Sequence, residues 1–121
     1  MGLFDLTQAA LDKALEGSSL RQQAIANNLA NANTPGFKRS DVDFSSALAD
    51  ALDTHDSTRQ VDAISFDPKV DTTSTETADG NNVDVDVEMA NLNENTVDYQ
   101  ALVSVAKARL HMIEIAIGGA R

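Results

Sequence analysis

The chain has 121 residues, enough for one domain or one rod-like unit. Nine Lys and Arg stand against nineteen Asp and Glu, a formal charge of −10, which argues against sequence-independent binding to nucleic acid or anionic lipid. Cysteine is absent, which excludes disulfides, thiolate metal sites and cysteine nucleophiles together. Aromatic residues make up only 4%, so Ala, Leu and Val must carry the packing, and that suits helices laid side by side.

Charge divides the chain into three parts. Residues 1–39 carry a net charge of +1, residues 40–82 of −8 and residues 83–121 of −3. In the first part, alternating steps of three and four give Met1, Phe4, Gln8, Leu11, Leu15, Ser18, Gln22, Ile25, Leu29 and Ala32. Seven of these ten are apolar, the stripe of a long helix. Gly17 is its weak point, costing about 1 kcal/mol relative to Ala. Pro35 disfavours helical geometry at Thr34, and Pro35-Gly36 fits the centre of a type II turn.

The acidic middle reads as mostly irregular. One short amphipathic helix is expected over Phe44 to Leu52, with Asp43 as its N-cap. The remainder has too little apolar surface to offset its ordering entropy alone, so a flexible or partner-ordered segment is expected.

The last part has the clearest periodicity. Val85, Met89, Leu92, Thr96, Tyr99, Val103, Ala106, Leu110, Ile113 and Ile117 follow the same stepping, nine of ten apolar. The span from Val85 to Ile117 makes about 50 Å of helix at 1.5 Å per residue. Asp84, Asp86 and Glu88 suit a helix N-terminus, and Gly118-Gly119 a stop. Val83, Val85 and Val87 alternate with Asp84 and Asp86, so a short strand before the helix stays open. From Ala101 to Ile117, 12 of 17 residues are apolar, more than one stripe and more than a two-helix hairpin can cover. Other subunits are expected to cover the rest. The expected fold is therefore mainly α: two long terminal helices packed as an antiparallel coiled coil, joined by an acidic middle segment with one short helix.

Catalytic chemistry finds little support. His55 and His111 have no Ser or Asp at triad spacing, and no glycine-rich phosphate loop occurs. Asp79 to Asp84 begins like a calcium loop but lacks the glycine at the sixth position and the Glu at the twelfth, where Ala90 stands. A looser cation site among Asp79, Asp84 and Asp86 stays open. No cofactor or metal is expected. No run of 18 apolar residues occurs, so no membrane-spanning helix is expected, nor does the N-terminus read as a cleaved signal.

The informative constellation is Ala26-Asn27-Asn28-Leu29-Ala30-Asn31-Ala32-Asn33-Thr34-Pro35-Gly36-Phe37-Lys38-Arg39. Asparagines in the last two turns of a helix are costly in propensity, yet small and amide side chains allow close approach and hydrogen bonding. Phe37 past the turn can act as an anchor. This stretch, followed by Ser40-Asp41-Val42-Asp43-Phe44, resembles the N-terminal signature of bacterial flagellar axial proteins, the proximal rod family FlgB in particular. Asp79 to Met89, with Asn95 and Tyr99-Gln100-Ala101, resembles the same family. The two ends, about 80 residues, carry the likeness; the sister rod family FlgC is the alternative. The resemblance implies a structural subunit of the flagellar basal-body rod without catalysis. Such a subunit is exported through the flagellar type III apparatus without a cleaved signal. It assembles with other rod proteins and the inner-membrane ring or its adaptor into a periplasmic helical tube that transmits motor torque. The residues expected at the assembly interface are Leu11, Leu15, Ile25, Leu29, Asn31, Pro35, Gly36, Phe37, Tyr99, Val103, Leu110, Ile113 and Ile117. A helical-hairpin adaptor and an acidic mimic of nucleic acid are the competing classes.

Overall fold

The computed structural model describes residues 2–53 and 57–119, so Met1 of the expected seam and His55 lie outside the described residues, as does the side chain of Phe4. Helix α1 spans Gly2–Ala30, strand β1 Ser40–Asp41, helix α2 Phe44–Leu52, helix α3 Ser57–Asp62, strand β2 Lys69–Val70 and helix α4 Val85–Gly119. Helices α1 and α4 lie in contact. Gln8 meets Arg109, Ser18 meets Asn95 and Asn28 meets Glu88, so residue numbers fall along one helix as they rise along the other. The pair is antiparallel.

Helix α1 is unbroken at Gly17, contrary to the weak point expected there. The reason is packing. A Cβ at Gly17 would lie 2.4 Å from Cβ and 2.7 Å from Cγ of Phe44. The absent side chain is the seat of Phe44, whose ring then meets that of Phe66 edge to face, 6.5 Å apart. Helix α2 has the expected bounds, and the Asp43 carboxylate accepts the Ser46 N–H at its start.

The middle holds more structure than the one short helix expected. Helix α3 packs on both α1 and α2, and β1 pairs antiparallel with β2, Ser40 opposite Val70 and Asp41 opposite Lys69. Lys13 Nζ donates to the Ile64 carbonyl just beyond α3 (2.9 Å). Composition alone understates the packing of this segment. Val42, Phe44, Val61 and Phe66 are four of the nine buried apolar residues among those described. They are few, but Val42, Phe44 and Phe66 close over the small residues Ala14 and Ala24 of α1, with Leu102 of α4 at the margin. Helix α4 starts at Val85, so the alternating Val-Asp run is a helix entry and not a strand. Asp84 caps it by accepting the N–H groups of Asp86 and Val87. The helix continues through Gly118 and Gly119, which do not stop it where expected.

Candidate assembly site

Two stretches that the sequence keeps more than forty residues apart meet at one end of the helix pair. Thr34-Pro35-Gly36-Phe37 forms the expected turn. The Phe37 N–H donates to the Thr34 carbonyl (3.2 Å), and Gly36 takes φ +73°, a region costly for any side chain. Against it lies Asp79 to Asn82. The Gly36 N–H donates to the Asp79 carbonyl (2.8 Å) and the Asn82 N–H to the Phe37 carbonyl (3.3 Å). Asn81 Nδ2 donates to the carbonyls of Asn31 (2.9 Å) and Thr34 (2.8 Å) at the open end of α1. The Asn81 side-chain oxygen accepts the Val83 N–H (2.7 Å), leading the chain towards α4. Asn82 accepts the Arg39 N–H (2.6 Å) and donates to the Asp71 carbonyl (2.7 Å). Lys38 donates to the Gly80 carbonyl and pairs with Glu76 at 2.6 Å. Amide side chains thus supply the partners that a helix end and two loops would otherwise lack.

Beneath this clasp sits Glu88, fully buried on the first turns of α4. Its carboxylate accepts from Arg39 Nε and from Asn28 Nδ2 (3.2 Å). Asn28, also fully buried, pairs with both backbone groups of Ser40 at 2.7 and 3.0 Å, taking the place of a neighbouring strand. Arg39 reaches Asp71 (3.2 Å) and Asp41 (3.6 Å) as well, so one guanidinium ties α4, β1 and the end of β2. Burial pulls the Arg39 pKa down. The hydrogen bond and charge of Glu88, helped by Asp71 and Asp41, outweigh it and leave the pKa raised. The Ser74 hydroxyl and the Thr73 and Ser74 N–H groups hold the Asp71 carboxyl far below the usual carboxylate range. The Thr77 hydroxyl and the Asn81 N–H lower that of Asp79.

A second polar contact crosses the middle of the helix pair. Asn95, fully buried, donates to the Ser18 carbonyl (2.9 Å) and to Gln22 Oε1 (2.8 Å), and accepts from the Ser18 hydroxyl (3.2 Å). Among the described residues, every buried polar side-chain atom has a hydrogen-bond partner. No group of three metal-ligating side chains occurs among them; Asp79 and Asp84 serve turn and cap instead. No helix among them is long and apolar enough to cross a membrane.

The expected interface residues fall into three settings. Leu11 and Ile25 are buried within the chain, with Leu15 and Leu29 half-buried beside them. Asn31 and Phe37 are half-buried at the clasp, and Pro35 and Gly36 stand exposed at its tip. Asn31 bonds back to the Asn27 carbonyl (2.8 Å) on its own helix. On α4, Val103 is half-buried, whereas Tyr99, Leu110, Ile113 and Ile117 are exposed. Val105, Met112 and Ile115 are exposed too, making the last turns of α4 apolar and open on several sides. Apolar stepping passes through Ser18 only as a polar position in the stripe and does not pick out the buried polar residues Asn28, Asn82, Glu88 and Asn95. For Glu88 and Asn95 the signal is their seven-residue spacing with Leu102 and Arg109, a line that carries no run of hydrophobic residues.

Comparison with known proteins places both ends of the clasp in one lineage. The family model described as "Flagella basal body rod protein" matches residues 8–38, most of α1 and the turn. The flagellar basal body rod protein FlgB of Bacillus subtilis (strain 168) is 33% identical over 135 aligned positions, spanning all of both chains. The FlgB of Borrelia hermsii is 30% identical, covering 97% of this chain and 99% of its own. That of Escherichia coli (strain K12) is 29% identical over 89% and 92%. The match extends through the middle segment and α4, and these relatives bear the FlgB name and not that of the sister rod family. The chain belongs to the FlgB family, the proximal rod proteins of the flagellar basal body, which are structural and not enzymatic.

Proposed function

We propose that the clasped helix pair is one assembly unit, residues 1–39, 40–82 and 83–121 acting together, and that the open apolar end of α4 is its principal assembly surface. The observation that carries this reading is the exposure of Val105, Leu110, Met112, Ile115 and Ile117, each more than half accessible, on a single helix. A surface of this kind on a chain of charge −10 needs a partner to remove it from water. Tyr99, Val103 and Ile113 extend the surface along α4, and Pro35 and Gly36 present a rigid tip at the other end. Contacts between unlike ends of successive copies do not close, so they build a helical tube with other rod proteins. The inner-membrane ring or its adaptor receives the first copies, and the type III export apparatus delivers the chain to the periplasm, where the rod transmits torque.

Leu110→Asp tests this reading in a strain lacking its own copy. Leu110 is exposed, so the dilute chain should melt within about 0.5 kcal/mol of the parent. Swimming should be lost, because the introduced charge is buried unpaired on assembly. Ser65→Asp, on an exposed loop, serves as the control and should swim. Normal motility of the Leu110 variant would remove the end of α4 from the interface.

A further inference from the structure

Helix α4 has two candidate faces for α1, and the chain covers the less apolar one. Glu88, Asn95, Leu102 and Arg109 recur every seven residues, so they form one line along the helix. Each member of the line faces α1 or the segment packed on it. Glu88 meets Asn28, Asn95 meets Ser18 and Gln22, Leu102 packs on the core cluster, and Arg109 Nε donates to Gln8 Oε1 (3.2 Å). Beside this line runs the apolar seam. Asn95 and Tyr99 are one i,i+4 step apart, about 40° round the helix at 3.6 residues per turn. Most of the seam is open: Val85, Met89, Tyr99, Leu110 and Ile117 are 48, 43, 43, 62 and 64% exposed, while Leu92, Val103 and Ala106 are half-buried. Ser19, Gln22, Asn95, Thr96, Tyr99 and Gln100 line an open groove of about 450 Å³ on that side.

Hydrophobic burial alone would rotate α4 by about 40° and set the seam squarely on α1. Glu88 and Asn95 oppose that turn. Both are fully buried, and both are satisfied by groups that only this rotation supplies: Asn28 and Arg39 for one, Ser18 and Gln22 for the other. We infer that Glu88 and Asn95 are positioning residues that select the face of α4 covered by α1, and so keep the seam bearing Tyr99 uncovered. A single buried polar side chain fixes register and partner in coiled coils by the same means. The inference deepens the assembly reading, because the face reserved here is the one offered to neighbours. It concerns the isolated chain, however, and stands or falls separately.

The chain carries its own probe. Tyr99 is the one tyrosine and there is no tryptophan, so tyrosine fluorescence reports on the seam alone. Acrylamide quenching of dilute full-length protein is compared for the parent, Asn95→Leu, Asn95→Ala and the exposed control Asn93→Leu, with circular dichroism confirming helix. Asn95→Ala adds no bulk and covers the case in which leucine does not fit. In both Asn95 variants α4 rotates towards α1, and the quenching slope falls about twofold or more as the ring is covered. The Asn93 variant quenches like the parent. A folded Asn95 variant with parental quenching overturns the inference. Loss of helix in both Asn95 variants also overturns it, since the seam would then offer no alternative packing.

Discussion

Gly17 shows how one missing side chain decides the packing of the middle segment. Its Cβ position is occupied by the stem of Phe44, not by a flexible tip that could move aside. Gly17→Ala therefore sets two effects against each other. Helix propensity favours alanine by about 1 kcal/mol. Overpacking against a buried aromatic costs about 1–3 kcal/mol, and at 2.4 Å the upper half of that range applies. The variant should lose about 1–2 kcal/mol in urea unfolding, net of the propensity gain. Gly118→Ala, where a Cβ meets nothing within 4 Å, should be neutral or slightly stabilising. Equal and favourable effects at the two glycines would mean that Phe44 does not rest on α1. The sequence marked Gly17 only as a weak point in a helix, because Phe44 lies 27 residues further on and no local pattern joins them.

At the scale of elements, the clasp shows which part of the pattern was legible. Both long helices, the Pro35-Gly36 turn, α2 and its Asp43 cap follow from periodicity and capping chemistry, and the structure has them. Which face of α4 meets α1 did not follow. Apolar stepping finds the most hydrophobic line, whereas the buried line contains Glu88 and Asn95, whose partners come from distant segments. The β1–β2 ribbon escaped notice for a similar reason: it is two residues per strand, held by Arg39 and Asn82 and not by strand propensity. Arg39 is the element-scale test. Arg39→Met removes the cation from a carboxylate that has no access to water, and loss of one partner of such a pair costs about 3–5 kcal/mol. Glu88→Gln in the Arg39→Met background removes the stranded charge and should restore a substantial part of that stability. Urea unfolding of the two single variants and the double completes the cycle. If the double variant is as unstable as the sum of the singles, Arg39 and Glu88 are not coupled, and the clasp is held by its amides alone.

For the whole molecule, the two stretches that resemble the rod family serve chiefly to hold α1 and α4 together. Asn28, Asn81, Asn82 and Glu88 are buried and satisfied inside one chain. The exposed surface proposed above to meet neighbours lies elsewhere, on the apolar end of α4 and on the tip of the turn. The division was partly legible: the surplus of apolar residues from Ala101 to Ile117 announced uncovered surface, while the asparagine motif gave no sign that its partners were internal. The absence of cysteine makes the division directly measurable. Single cysteines at Leu110, Ile117 and Thr73, in otherwise unchanged full-length chains that still support swimming, are labelled with a maleimide in free protein and in purified basal bodies. All three positions are exposed in the free chain and should react there. In basal bodies Leu110 and Ile117 should be protected while Thr73 still reacts; labelling at Leu110 and Ile117 as fast in basal bodies as in free protein would contradict the account.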